Sequence, residues 1–189
     1  MPATEDNRPR PERAPLHWHN KASQLRASAA ATWYCMSQAD QAEVERSLGS
    51  PSNLGLGYAY PAYRMLCGMS IEAMLKAILV AKGLDAPASH DLLWLARHAE
   101  MQLDATETGL LALLTECIIW HGRYPAPLPK AVHAVAKLGK LTEKHLFTRS
   151  VREGGFVIMT PRRPNPLAWD GFDKLWSRFN SEFCARLYS

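Results

Sequence analysis

What this sequence lacks narrows it first. It has no apolar run approaching the roughly 18–20 residues that cross a bilayer, so no membrane span is expected. Residues 1–15 are rich in Pro and charge and contain no apolar core of the secretory type, so the chain is expected to work in the cytoplasm. Cys35, Cys67, Cys117 and Cys184 are far apart and form no C-x-x-C pair. Buried reduced thiols are therefore expected, with zinc or disulfides a distant second. His17, His19, His98, His133 and His145 show no metal-ligand spacing with acids or cysteines, so neither metal nor cofactor is expected. Gly55 and Gly57 fit no phosphate-loop pattern, and no strand precedes them. No internal repeat is visible.

What remains has ordinary globular composition, with 47% hydrophobic and 21% charged residues over a length that suits one domain. The formal charge of +4 is unevenly spread. Between Ala126 and Ala168 there are eight Lys and Arg against Glu143 and Glu153, a net +6 that leaves −2 for everything else. Such a segment can attract phosphate backbones, or can simply be a solvated surface.

The patterning is helical. Residues 1–15 read as a disordered tail and 16–189 as the folded domain. A first helix is expected over 20–48, stopped by Gly49-Ser50-Pro51. A second, the most apolar, runs within 58–83 and ends at Gly83 in an αL cap. Ser89 is expected to cap a third helix reaching Ala99. Asp104 and Glu107 form a capping-box start for a fourth, which continues to Trp120 before Gly122 and Pro125. A short helix over 129–138, stopped by Gly139, precedes a stretch readable as a small hairpin or as a loop (146–151 and 156–160). A last helix starts near Asp170 as N-cap and carries the stripe Phe172, Leu175, Trp176, Phe179, Phe183 and Leu187.

The second helix sets the functional question. At about 100° per residue, Met65, Glu72, Lys76 and Leu79 fall within roughly 60° of one another. Two charges thus sit inside an apolar arc, where charge is costly unless paired. Glu72 and Lys76 are spaced for an intrahelical ion pair, which either fixes packing at the bundle edge or forms one wall of a polar site. Arg123, at the end of the fourth helix, is the candidate facing residue, because its planar fork suits oxygen anions. His121 can titrate near neutrality, Tyr124 can stack on a base, and His90 can face Glu72. Ser89-His90-Asp91 is no nucleophilic triad, since adjacent residues on one turn point in different directions.

The helix Met69-Ser-Ile-Glu72-Ala-Met-Leu-Lys76, the Ser89-His90-Asp91-Leu92 start and the Arg123-Tyr124-Pro125 turn, in that order, resemble the HEPN family of small helical proteins. The resemblance implies an all-α, HEPN-like four- to five-helix up-and-down bundle, with a basic insertion (126–168) before the last helix. It also implies a homodimer and a role in RNA or nucleotide binding, or with a protein partner, in a defence or toxin–antitoxin setting. Catalytic members of the family pair an Arg with a His a short polar spacer downstream. Here Arg123 is followed by Tyr124 and Pro125, the next downstream His is His133 across a Pro-rich break, and Arg97 and His98 are adjacent. The catalytic residues are therefore unassigned. The expected function is non-catalytic binding at Glu72, Lys76, His90, His121, Arg123 and Tyr124. The alternatives are a divergent metal-independent endoribonuclease, using His121 or His133, and a ligand-free scaffold.

Overall fold

A computed structural model of the chain describes residues 13–37, 40–49, 59–121, 133–151 and 157–188. The fold is mostly α. Seven α-helices and one two-stranded antiparallel sheet make up the described residues, in the order α1 (Pro15–Ser37), α2 (Gln41–Leu48), α3 (Tyr60–Ala81), α4 (Leu92–His98), α5 (Ala105–Glu116), α6 (His133–Leu146), β1 (Phe147–Val151), β2 (Val157–Pro161) and α7 (Trp169–Leu187). A π-helical turn, Cys117–His121, extends α5. Among the described residues no helix is long and apolar enough to cross a membrane.

α3 is the axis of the molecule, buried from Ser70 to Val80 without interruption. α1 lies along it, and α4, α5, the π-turn and α7 cover the rest. Ala22 and Ala29, both fully buried, let α1 approach closely, and the buried Ser70 hydroxyl donates to the Ala22 carbonyl at 2.8 Å. Trp33 packs on Tyr63 with ring centroids 5.1 Å apart. Farther along, Arg26 donates to Asp173 at 2.6 Å and His19 meets Asn180 at 2.7 Å, tying α1 to α7. The expected stripe on α7 is buried from Phe172 to Phe183.

Several expected boundaries move. The stretch 20–48 is two helices, because the Asp40 carboxylate accepts from the backbone N–H groups of Ala42 and Glu43 and starts a new helix there. A short polar side chain that satisfies free N–H groups competes with helix continuation. α1 also begins earlier than expected, at Pro15, a residue preorganised for a first turn. Asp91, not Ser89, caps α4, accepting from Leu93 and Trp94, while the Ser89 hydroxyl accepts from Asp91 N–H. Asp104 and Glu107 form the expected capping box. Ala168 takes the N-cap position of α7, and Asp170 sits in its first turn.

Gly139 does not stop α6, which runs through it to Leu146. A mid-helix Gly costs about 1 kcal/mol relative to Ala, and the buried face made by Leu138 and Leu146 outweighs it. The hairpin reading holds: β1 grows directly from α6 and pairs with β2 from Phe147–Pro161 to Val151–Val157. All four cysteines are free, Cys67 and Cys117 buried and Cys35 and Cys184 half-buried.

Candidate functional site

The charged pair on α3 is buried and closed. Lys76 Nζ donates to Glu72 Oε1 at 2.7 Å, and His90 Nδ1 lies 3.0 Å from Oε2. An ionised carboxylate only accepts, so this second contact places hydrogen on Nδ1. Lys76 Nζ also stands 5.3 Å from the centre of the Trp18 ring, a cation–π distance. The side chains of Lys76 and Glu72 are 7% and 12% exposed, whereas His90 is 53% exposed and forms the outer edge. Three of the residues expected to share a site do so. Both Glu72 oxygens are engaged from within the chain, one by Lys76 and one by His90.

The loop that carries His90 is fixed by α5. The Leu92 N–H donates to Thr115 Oγ1 at 3.1 Å, and Thr115 in turn donates to the Leu111 carbonyl. Arg123 and Tyr124 lie outside the described residues.

His121 belongs to a second cluster. Arg64 is eight residues before Glu72, roughly 12 Å along a helix axis. The π-turn reaches α3 here because Gly68 has no side chain: a Cβ would stand 2.7 Å from Ile118 Cγ1. Arg64 is 9% exposed, with its guanidinium 4.2 Å above the Tyr60 ring and no ion pair among the described residues. Burial, and then the positive charge of Arg64, hold the His121 imidazole below its ordinary pKa. Burial pushes the Cys117 thiol up to about 11, with Arg64 opposing, and raises Tyr63 and Cys67 far above their ordinary values. Arg64 Nε, His121 Nδ1 and Trp120 Nε1 are buried and have no hydrogen-bond partner among the described residues. π-turns recur at functional sites, and unsatisfied buried donors are rare. Arg64 was legible as a charge within Tyr60-Pro-Ala-Tyr-Arg-Met, at the start of an apolar helix, yet it was not among the expected site residues.

The third feature is a cleft of about 930 Å³ between the start of α5, the end of α6, the loop following β2, and α7. Lys144, Arg162, Arg163, Lys174 and Arg178 line it, against Asp104 and Glu107. Both acids are already committed. Asp104 accepts from Glu107 N–H, and Glu107 receives two hydrogen bonds of 2.8 Å from Arg178. A smaller cleft of about 380 Å³ on the adjoining face of the hairpin shares Lys144, Thr148 and Arg162 and adds Lys140 and Arg149. The described part of the basic segment, 133–151 and 157–168, thus forms a folded cationic surface. No group of three or more His, Cys, Asp and Glu able to hold a metal ion occurs among the described residues.

Set against family models, curated proteins and solved structures, the chain matches none of them.

Proposed function

We propose that this chain is a HEPN-like helical module that binds RNA without cleaving it, in a defence or toxin–antitoxin setting. One observation carries the reading: α6 and the hairpin present an unneutralised cationic face. Lys140, Lys144, Arg149 and Arg163 are exposed and have no acidic partner among the described residues. Glu143 is the one carboxylate in the described part of α6 and the hairpin. Arg162 is positioned by donating to the Lys144 and Phe147 carbonyls, neutral groups that leave its charge uncompensated. A surface of this kind attracts a phosphate backbone through counterion release. The Arg123-to-His133 spacing, which departs from the family's catalytic pattern, supports the non-catalytic part.

The proximity of Arg64 to a depressed-pKa His121 favours a second reading, a metal-independent endoribonuclease. In that reading Arg64 steadies phosphate charge and His121 takes a proton from the 2′-hydroxyl. One experiment separates the two. Purified protein is incubated with single-stranded RNA in chelator and the products are analysed for 2′,3′-cyclic phosphate ends, while binding is followed by anisotropy. Binding without cleavage supports the first reading. Cleavage lost in His121→Ala supports the second, and absence of binding removes both.

A further inference from the structure

The larger cleft has more structure than a charged surface needs. It has depth, and its chemistry changes from mouth to floor. Leu110 and Leu175, 3% and 4% exposed, lie at its base. Exposed Arg163 and Lys174 stand at its mouth on two different elements, the loop after β2 and α7. The start of α5 also lines it through Ala105 and Thr106. Of the two acids of the lining, Glu107 is paired with Arg178 and Asp104 caps α5, so Lys144, Arg162, Arg163 and Lys174 outnumber the one carboxylate without a cationic partner among the described residues.

Two glycines let the walls close in. The His145 ring packs against α5 at Gly109, where a Cβ would stand 2.0 Å from its Cε1. Burial, then Lys144 and Arg162, hold that imidazole below its ordinary pKa and so disfavour its charged form. The loop at the opposite side is pinned in the same way, since a Cβ on Gly171 would stand 2.5 Å from the Pro166 carbonyl oxygen. The volume of about 930 Å³ falls in the range of roughly 300–1,000 Å³ typical of small-molecule sites.

The geometry points to a binding site for a phosphorylated nucleoside unit, its phosphate between Arg163 and Lys174 and its base over Leu110 and Leu175. This rests on the RNA-binding reading for one source of the ligand, the phosphorylated end of a strand. The other source is a free mononucleotide. A terminal phosphate carries more charge than an internal diester and is drawn more strongly to a cleft lined by several cations.

Calorimetry on the full chain tests it with adenosine 5′-monophosphate, adenosine and inorganic phosphate, and with one RNA oligonucleotide bearing either a 5′-phosphate or a 5′-hydroxyl. The monophosphate is expected to bind more tightly than either of its parts. Arg163→Ala and Lys174→Ala are each expected to weaken it by about tenfold or more, the loss of one charge-assisted contact. Both side chains are exposed, and unchanged melting curves confirm that the variants fold. A preference for the 5′-phosphorylated oligonucleotide assigns the strand end, and equal binding of the two assigns the free nucleotide. No binding of the monophosphate at millimolar concentration, or equal binding by the Arg163→Ala/Lys174→Ala double variant, overturns the site. Lys140→Ala/Arg149→Ala, outside this cleft, keeps the two ideas apart: RNA binding lost there with the monophosphate unaffected leaves both standing. RNA bound by a chain that ignores the monophosphate removes only the nucleotide site.

Discussion

His90 Nδ1 meets Glu72 Oε2 at 3.0 Å across eighteen positions of sequence, joining the loop before α4 to the middle of α3. With Lys76 on the other oxygen at 2.7 Å, this contact makes the carboxylate the hub of a three-member network, two members buried and one at the surface. The network explains how two charges persist within an otherwise apolar helix.

Its energetic signature is asymmetric. Breaking a buried pair by removing one partner costs about 3–5 kcal/mol, whereas replacing both with apolar groups of similar volume is often neutral or stabilising. Glu72→Leu and Lys76→Met are therefore each expected to lower unfolding free energy by an amount of that order. The double variant should recover most of the loss. Denaturant melts of the four proteins measure the coupling, and additive losses would show that the pair is not an energetic unit.

How much of this was legible in the sequence depends on distance along the chain. Glu72 and Lys76 were readable because a helix fixes what lies four residues away, and His90 because one short connection follows α3. The capping box at Asp104 and Glu107 was equally local. Arg64 was missed because its neighbours His121 and Cys117 come from the π-turn more than fifty positions away. Gly139 was given too much weight, because tertiary burial of Leu138 and Leu146 overrides a glycine's preference. The basic composition of 126–168 was visible, but the cleft was not. Its walls come from α5, α6, the loop after β2 and α7, and one of its internal ion pairs, Arg178 with Glu107, spans seventy-one positions.

Two imidazoles give stability a pH dependence of known sign. His121 and His145 both lie below their ordinary value of 6.5, the first through burial and Arg64, the second through burial, Lys144 and Arg162. Between each folded pKa and 6.5 the unfolded chain holds more protons, so this contribution is complete above 6.5 and declines as pH falls. The melting temperature is expected to drop from about pH 7 to about 5, and His121→Gln/His145→Gln should flatten that drop. A double variant with the wild-type slope would assign the effect to other groups.

Gly68 tests the seat of the π-turn. An added methyl would stand 2.7 Å from Ile118 Cγ1 and 3.1 Å from the Leu114 carbonyl oxygen, in a place where Ile118 is fully buried. Overpacking of this kind costs roughly 1–3 kcal/mol, more than the better helix propensity of Ala returns. Gly68→Ala is expected to melt earlier and to change Trp120 fluorescence as the turn shifts off α3. An unchanged melting curve would mean that the turn yields freely.

Gly109 has the opposite balance and so separates folding from binding. An alanine there would displace the His145 ring, which is half-buried and can swing outward. The strain is relieved by one side chain, while α5 gains up to about 1 kcal/mol of helix propensity. Gly109→Ala should therefore fold with stability close to wild type. Its imidazole no longer lines the cleft, and affinity for adenosine 5′-monophosphate should change while Lys140→Ala/Arg149→Ala leaves that affinity alone.

The cationic face predicts how RNA binding responds to salt. Each phosphate neutralised by a Lys or Arg on a single strand contributes a slope of about −0.7 to log K against log salt. Lys140, Lys144 and Arg149, exposed on α6 and the hairpin, and Arg163, exposed on the loop after β2, are four such cations, with the positioned Arg162 a fifth. Engagement of four or five phosphates gives a slope of about −3, measurable by anisotropy between low and physiological salt. Removing Lys140 and Arg149 together should shallow it by about 1.4 and weaken binding to all sequences alike, because phosphate contacts carry no base information. A sequence-selective loss with an unchanged slope would move recognition away from this face, toward the Arg64 and His121 cluster on α3.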